Sequence, residues 1–416
     1  MKLRFSNVGR FSKPTEIELN GITVVAGRNG LGKSTISKLL FCIFDSFYHL
    51  DDQISAERTR TLVRIISGYA RWDSQSVDGR GLESLAQKIV DQYNDSFGID
   101  NVKQILHESG YQMYDVGDQQ FEYLLKSIRD VMSVGEDEIK NNILRARFMA
   151  EFGGQIKNVN KGAEGSAINL MIRDKKISIT INGEPRIDSG FSLVKNIVYI
   201  DDLSVIDNFR FSLRRGYSHD LNFRQKMFSV NHEKDSIIGD IISSEKFKRI
   251  IEKMTMLGIG NLERNSESND VVYVEDDLDQ AIRLENISAG TKVFLAIKQL
   301  IQNGYIEENG MMVLDEPEVH LHPEWQQVLA EMIVLMQKEL NLNVMVSSHS
   351  ADFILFIEYY SKIHGIEDKC NYYYLEEDEQ PGATKIMEVT DDKESIYKAL
   401  GHPFVRISEE MDAYES

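Results

Sequence analysis

The chain has 416 residues, 42% hydrophobic and 27% charged, with 6 prolines, which is an ordered globular composition with room for a large domain and an inserted subdomain. A net charge of −19 argues against a surface built to coat nucleic acid, while leaving a local basic groove open. No apolar run reads as a signal peptide or a membrane span, and two cysteines at no metal spacing suggest a reducing compartment, so a cytoplasmic protein away from membranes is expected.

Residues 2–5, 15–19 and 22–26 read as strands. The third is a β-branched apolar run that leads into Gly27-Arg28-Asn29-Gly30-Leu31-Gly32-Lys33-Ser34-Thr35. This fits the phosphate-loop pattern G-x-x-x-x-G-K-[ST], and a helical pattern (Ile36, Leu39, Leu40, Ile43, Phe44) follows it. By chance the bare pattern should arise in on the order of one chain in a hundred of this length, so a mere Gly-rich turn is the weaker reading. Strand, glycine loop and helix N-terminus together cradle phosphate. Arg28, Asn29, Gly30, Gly32, Lys33, Ser34 and Thr35 are therefore the expected nucleotide-binding residues. Lys33 can reach the terminal phosphates and the Ser34 hydroxyl can ligate Mg²⁺.

The segment 49–150 is charged and helical, with no strong strand and no sustained heptads, so it reads as a helical insertion. It divides an expected α/β head into parts 1–48 and 151–416. Strand alternation returns at 167–172 and 177–181, with a turn at Asn182-Gly183, and a further strand covers 196–200. A mixed polar region runs to about Asp270, with a loop signal at 261–269. Within it, Arg210, Arg214, Arg215, Arg224 and Lys226 form the best basic stretch, which reads more readily as a solvated helix face than as a nucleic-acid contact.

Asn286-Ile287-Ser288-Ala289-Gly290 opens a helical run, where Ser288 and Gly290 can face an anion. Taken alone this is an ordinary Ser cap. Residues 311–318 form a buried-type strand that ends in Asp315-Glu316. Asp315 can support Mg²⁺ opposite Ser34, and Glu316 can polarise a water. The strand 343–347 ends beside His349, placed to contact a terminal phosphate or that water. A strand is expected at 371–375, and the acidic run 376–379 reads as a solvated loop.

Together these motifs resemble the ABC-type ATPase heads of the SMC, RecF and overcoming-lysogenization-defect group. Residues 27–34 match its Walker A motif, Ser288-Ala289-Gly290 its signature, Asp315-Glu316 its Walker B motif with the catalytic Glu, and His349 its switch histidine. The stretch from Asp315 to Gln326 looks like that of bacterial AAA-type defence ATPases. The resemblance implies a P-loop NTPase fold, ATP and Mg²⁺ as ligands, ATP hydrolysis, and a homodimer or larger oligomer through ATP-sandwiched heads. It also implies an effector partner, a nuclease or toxin, as in the ATPase subunits of Septu- and retron-type anti-phage systems. The alternative is a RecF- or SMC-like repair or recombination ATPase that clamps DNA. Three departures stand out. No glutamine is placed as a Q-loop, where Asp201 and Asp202 stand instead. The insertion is too short for SMC arms, and the chain beyond His349 leaves no room for a TOPRIM nuclease domain.

Overall fold

Long apolar runs decide the architecture, because strands buried on both faces read as continuous apolar sequence. In the computed structural model the described residues are 1–69, 79–110, 118–158, 165–207, 218–231, 237–265 and 270–401. The chain opens with β1 (Lys2–Ser6), β2 (Thr15–Glu18), β3 (Ile22–Gly27) and α1 (Lys33–Phe47). Five helices follow: α2 (Leu50–Tyr69), α3 (Gly79–Gln92), α4 (Ile99–Glu108), α5 (Asp118–Ser133) and α6 (Glu136–Phe152). Next come β4 (Ser166–Ile172), β5 (Lys175–Ile181), β6 (Pro185–Ser189), β7 (Ile197–Ile200), α7 (His219–Phe228) and α8 (Ile237–Met256). Then follow β8 (Asn261–Arg264), β9 (Val271–Val274), β10 (Ile282–Arg283), α9 (Ala289–Gln302), β11 (Met311–Asp315) and α10 (Pro323–Leu340). The last are β12 (Asn343–Ser348), α11 (Ala351–Ile363), β13 (Cys370–Glu377) and β14 (Thr384–Glu388).

The chain forms two compact units. One holds Met1–Asp45, Arg145–Phe191 and the chain from Lys195 onward; the other holds Ser46–Leu144 with Ser192–Val194. In the first, the central sheet runs β14-β13-β3-β12-β11-β7. Its strands are parallel except for β14, which closes one edge antiparallel to β13. Every residue of β3, β7 and β11 is buried, as a sheet covered on both faces requires. Register brings the strand ends level. Asp315 stands opposite Ser347, Ser347 opposite Val25, Leu314 opposite Ile200, and Leu375 opposite Gly27. The carboxyl ends of an open α/β sheet are where ligands bind, so this alignment positions the site. A second, antiparallel sheet runs β2-β1-β4-β5-β6, and a small one runs β10-β9-β8.

The second unit has a core of its own. Leu62, Ile66, Leu85, Ile89, Ile105, Leu124 and Ile128 pack together there, all with 1% exposure or less. Helix α5 shows why: Leu124, Leu125 and Ile128 are buried at helical spacing, and Phe121, Val131 and Met132 flank them against the same core. No helix of the described residues is long and apolar enough to cross a membrane.

Three expectations need correction. The loop signal at 261–269 is in part a strand, β8, paired with β9. The polar region before it contains two helices, α7 and α8. Helix α7 buries His219, Arg224 and Lys226 beside Phe223 and Met227, so its inward face carries no apolar period to read. The acidic run 376–379 is not simply a solvated loop. Glu376 and Glu377 end β13, and Asp378 is buried with Lys13 at 2.9 Å.

Candidate functional site

The loop from β3 to α1 turns on two glycines. Gly30 has φ +80° and Gly32 φ +99°, a region that L side chains avoid. A Cβ at Gly32 would stand 2.9 Å from Phe11 Cε2, whereas one at Gly30 would meet nothing within 4 Å. The loop is thus packed on one side and open on the other. Helix α1 starts at Lys33, so the unpaired N–H groups and positive dipole end of its first turn border the loop. Arg28, Asn29, Gly30 and Ser34 are exposed along this border. Thr35 turns inward and packs near Gly9 and Gly32.

Lys33 is only 4% exposed. Its Nζ donates to the carbonyls of Gly27 at 2.9 Å and Arg28 at 3.1 Å, and to Asn29 Oδ1 at 3.5 Å. It also lies 3.1 Å from Glu316 Oε1. His349 Nδ1 approaches the same oxygen at 3.2 Å, an ion-pair distance without hydrogen-bond geometry. Residues far apart in sequence thus meet around one carboxylate. Glu316 sits at φ +50°, a strained conformation for a side chain with Cβ. Its N–H donates to Ser347 O at 2.9 Å, which holds the strained turn against β12.

Asp315 is fixed from both sides. The Ser347 hydroxyl donates to Oδ1, and the Tyr199 hydroxyl donates to Oδ2 at 3.2 Å. Burial and the Asp315 charge push the Tyr199 pKa well up, so this donor keeps its proton. The Tyr199 ring stacks on His219, with centroids 4.3 Å apart. His219 is clamped by carboxylates. Its backbone N–H and Nδ1 meet Glu151 at 2.6 and 2.7 Å, and Nε2 meets Asp201 at 2.8 Å and Asp220 at 3.2 Å. Burial opposes the ring's charge, but hydrogen bonds and attraction from Asp201 and Glu151 outweigh it and raise the pKa to about 10. The His219, Asp201 and Asp220 ligand atoms all lie within 4.8 Å of one another, yet the separations are those of a protonated ring hydrogen-bonded to its partners. Asp201, which stands in place of a Q-loop glutamine, is therefore a partner of His219.

Ser288 and Gly290 lie on a separate element. Ser288 is the exposed N-cap of α9, with its Oγ accepting from Thr291 N–H at 3.1 Å. A Cβ at Gly290 would meet Leu321 at 3.2 Å and the His320 carbonyl at 3.4 Å, so this helix start packs on the segment after Glu316. Lys292, one turn into α9, pairs with Asp207 at 2.6 Å. The basic residues at 210–215 lie outside the described residues.

A family model described as "AAA domain, putative AbiEii toxin, Type IV TA system" matches residues 188–355. That stretch contains Ser288, Asp315, Glu316 and His349 but not the phosphate loop. Over it the chain is similar to AAA-type ATPases. The fold is a mixed α/β one with a mainly parallel central sheet. Among solved structures, the chain is similar to an SMC head bound to the C-winged helix domain of ScpA, at 13% identity and TM-score 0.43, covering 95% of this chain and 98% of that one. It is similar to the SMC head domain from Thermotoga maritima, at 11% identity and TM-score 0.38, covering 93% and 98%. An SMC head with an extended coiled coil, bound to the C-terminal domain of ScpA and derived from Pyrococcus furiosus, has 12% identity and TM-score 0.39, covering 99% and 98%.

Sequence reasoning missed Tyr199, His219 and Glu151. Glu151 and His219 are 68 positions apart, and no motif spacing joins them. The pair carries a pH signature. Protonated His219 stabilises the fold fully below the ordinary imidazole value of 6.5, and that contribution fades as pH climbs through about 10. His219→Gln should melt lower than the parent near neutral pH, and the gap should shrink toward pH 10 as the parent loses its charge. Melting curves between pH 6 and 10 check this. A gap of constant size would rule out the charged ring.

Proposed function

We propose that this chain is an ATPase whose hydrolytic centre is the meeting of Lys33, Glu316 and His349 at the ends of β3, β11 and β12. The observation that carries it is the buried Lys33 Nζ, 3.1 Å from Glu316 and bonded to the carbonyls of a glycine loop at a helix start. The residues fit a nucleoside triphosphate. Arg28, Asn29, Gly30, Gly32 and the α1 N-terminus form an open, positive border for phosphates, with Ser34 and Thr35 in the first helical turn. Ser34 and Asp315 would hold Mg²⁺, which neutralises charge on the phosphate oxygens. Tyr199 and Ser347 keep the Asp315 carboxylate oriented.

Glu316 and a phosphate compete for one ammonium group. When phosphates take Lys33, the Glu316 carboxylate is released toward an attacking water, and its hydrogen bond orients that water for in-line attack. His349, on the other side of the same carboxylate, keeps Glu316 in reach. Glu316→Gln removes the carboxylate with little change in shape. It should bind ATP at least as tightly as the parent, since a competing negative charge is gone, and should lose about 10²–10⁴-fold in turnover. Parent-like turnover would contradict the assignment.

We further propose that two heads close face to face. The chain has one phosphate loop and a second anion-facing helix start at Ser288-Ala289-Gly290. A two-fold pair would set each Ser288 over the partner's nucleotide and create two equal composite sites. Mixing inactive Ser288→Arg with inactive Lys33→Ala chains should restore part of the turnover, because one composite site then carries neither defect. Heterodimers that stay inactive would exclude trans completion.

The biological setting we propose is a cytoplasmic subunit of bacterial anti-phage defence that regulates a separate effector, a nuclease or toxin. Two things support it: the similarity of residues 188–355 to the AAA family described as a putative AbiEii toxin of Type IV TA systems, and the Asp315 to Gln326 stretch that resembles defence ATPases. Loss of phage restriction by Glu316→Gln, in cells that carry the chain with its neighbouring genes, is the expected outcome; undiminished restriction would contradict this setting.

A further inference from the structure

Glu318 is a buried acid that the scheme above leaves unused. It is 4% exposed, two residues beyond Glu316. One of its oxygens, Oε1, accepts from the Ser348 hydroxyl, while Oε2 is buried and without a partner. Burial pushes its pKa up, against the Ser348 hydrogen bond and the nearby His349 charge. Leaving a carboxyl half-satisfied in the interior costs free energy, and an apolar residue of similar size would avoid that cost. Packing therefore does not explain an acid at this position.

The hydrogen bonds around it lead to His349. The backbone of Glu318 is held in place: its carbonyl accepts from Leu321 N–H at 3.1 Å and from Gln326 Nε2 at 3.5 Å. Its side chain then fixes Ser348. The Ser348 Oγ in turn accepts from Ser350 N–H at 3.0 Å, and Ser350 caps α11 through Phe353 N–H at 3.2 Å. Only His349 lies between these two anchored serines, with its Nδ1 3.2 Å from Glu316. Alternation along β12 separates the tasks, because adjacent strand residues face opposite ways. Ser347 serves Asp315, and Ser348 serves Glu318.

We propose that Glu318 is a positioning residue that holds His349 at its distance from Glu316 by way of Ser348. The proposal rests on the ATPase reading above. A misplacement of about 1 Å near reacting groups costs up to about 10²-fold, so the effect belongs in kcat and not in ATP affinity.

The test is a mutant cycle on the full chain, read by steady-state ATP hydrolysis, with binding and melting checked on each variant. Glu318→Ala and Ser348→Ala should each lower kcat about 10-fold, with KM for ATP within about 2-fold of the parent. Glu318→Gln keeps an oxygen for Ser348 and should retain kcat within about 3-fold. The deciding variant is Glu318→Ala combined with His349→Ala. If Glu318 acts through His349, the double variant is no slower than His349→Ala alone. Losses that multiply, or a Glu318→Ala chain with parent kcat, would overturn the proposal. Should Glu318→Ala not fold, Ser348→Ala with His349→Ala completes the same cycle. Failure of the ATPase reading itself looks different: the parent would then hydrolyse no ATP, or Glu316→Gln would turn over like the parent.

Discussion

The larger unit depends on one buried charge. Lys33 lies at the start of α1 with 4% of its surface exposed, and an ammonium in that position needs compensation. Two loop carbonyls and Glu316 supply it. The consequence is geometric. β12 lies between β3 and β11, so a Lys33–Glu316 contact requires the ends of all three strands to be level. The register Asp315–Ser347–Val25 meets that requirement. Glu316 completes the contact only by turning to φ +50°, a conformation costing about 1–2 kcal/mol for a residue with Cβ. Strain of this kind at a charged residue marks a place where orientation outranks local stability.

Around that pair the acids are held by neutral or cationic donors from β7, β12 and α7. Ser347 and Tyr199 hold Asp315, Ser348 holds Glu318, and His219 holds Asp201, Glu151 and Asp220. These five carboxylates would repel one another without such partners. Tyr199 joins two of these groups, with its hydroxyl on Asp315 and its ring on His219. The ends of β7 and β11 are therefore tied to Glu151 and to α7 within the same unit.

Much of the fold was readable because it rests on apolar runs. β3, β11 and β12 are short apolar segments that end in small or acidic residues, and period and punctuation alone place them. Helix α7 was not readable, since it buries a histidine, an arginine and a lysine. Nor was β8, a four-residue strand of mostly exposed polar side chains. At the site, Lys33, Asp315, Glu316 and His349 stood out because nucleotide chemistry needs those groups at strand and helix ends. Their separations did not follow from the sequence, because strand order decides them and spacing does not encode it. Tyr199, His219 and Glu151 had no motif, and Glu318 lay in plain view inside one without a role attached.

The central claim is that Lys33 meets nucleotide phosphates as it now meets Glu316. Calorimetric titration of ATP into the Lys33→Ala chain tests this most directly, with folding confirmed by a single cooperative melting transition. Direct charge–phosphate contacts contribute a few kcal/mol, so the account predicts at least about a 100-fold weaker Kd than the parent shows. An unchanged Kd would mean that ATP, if it binds, does so elsewhere, and would contradict the account.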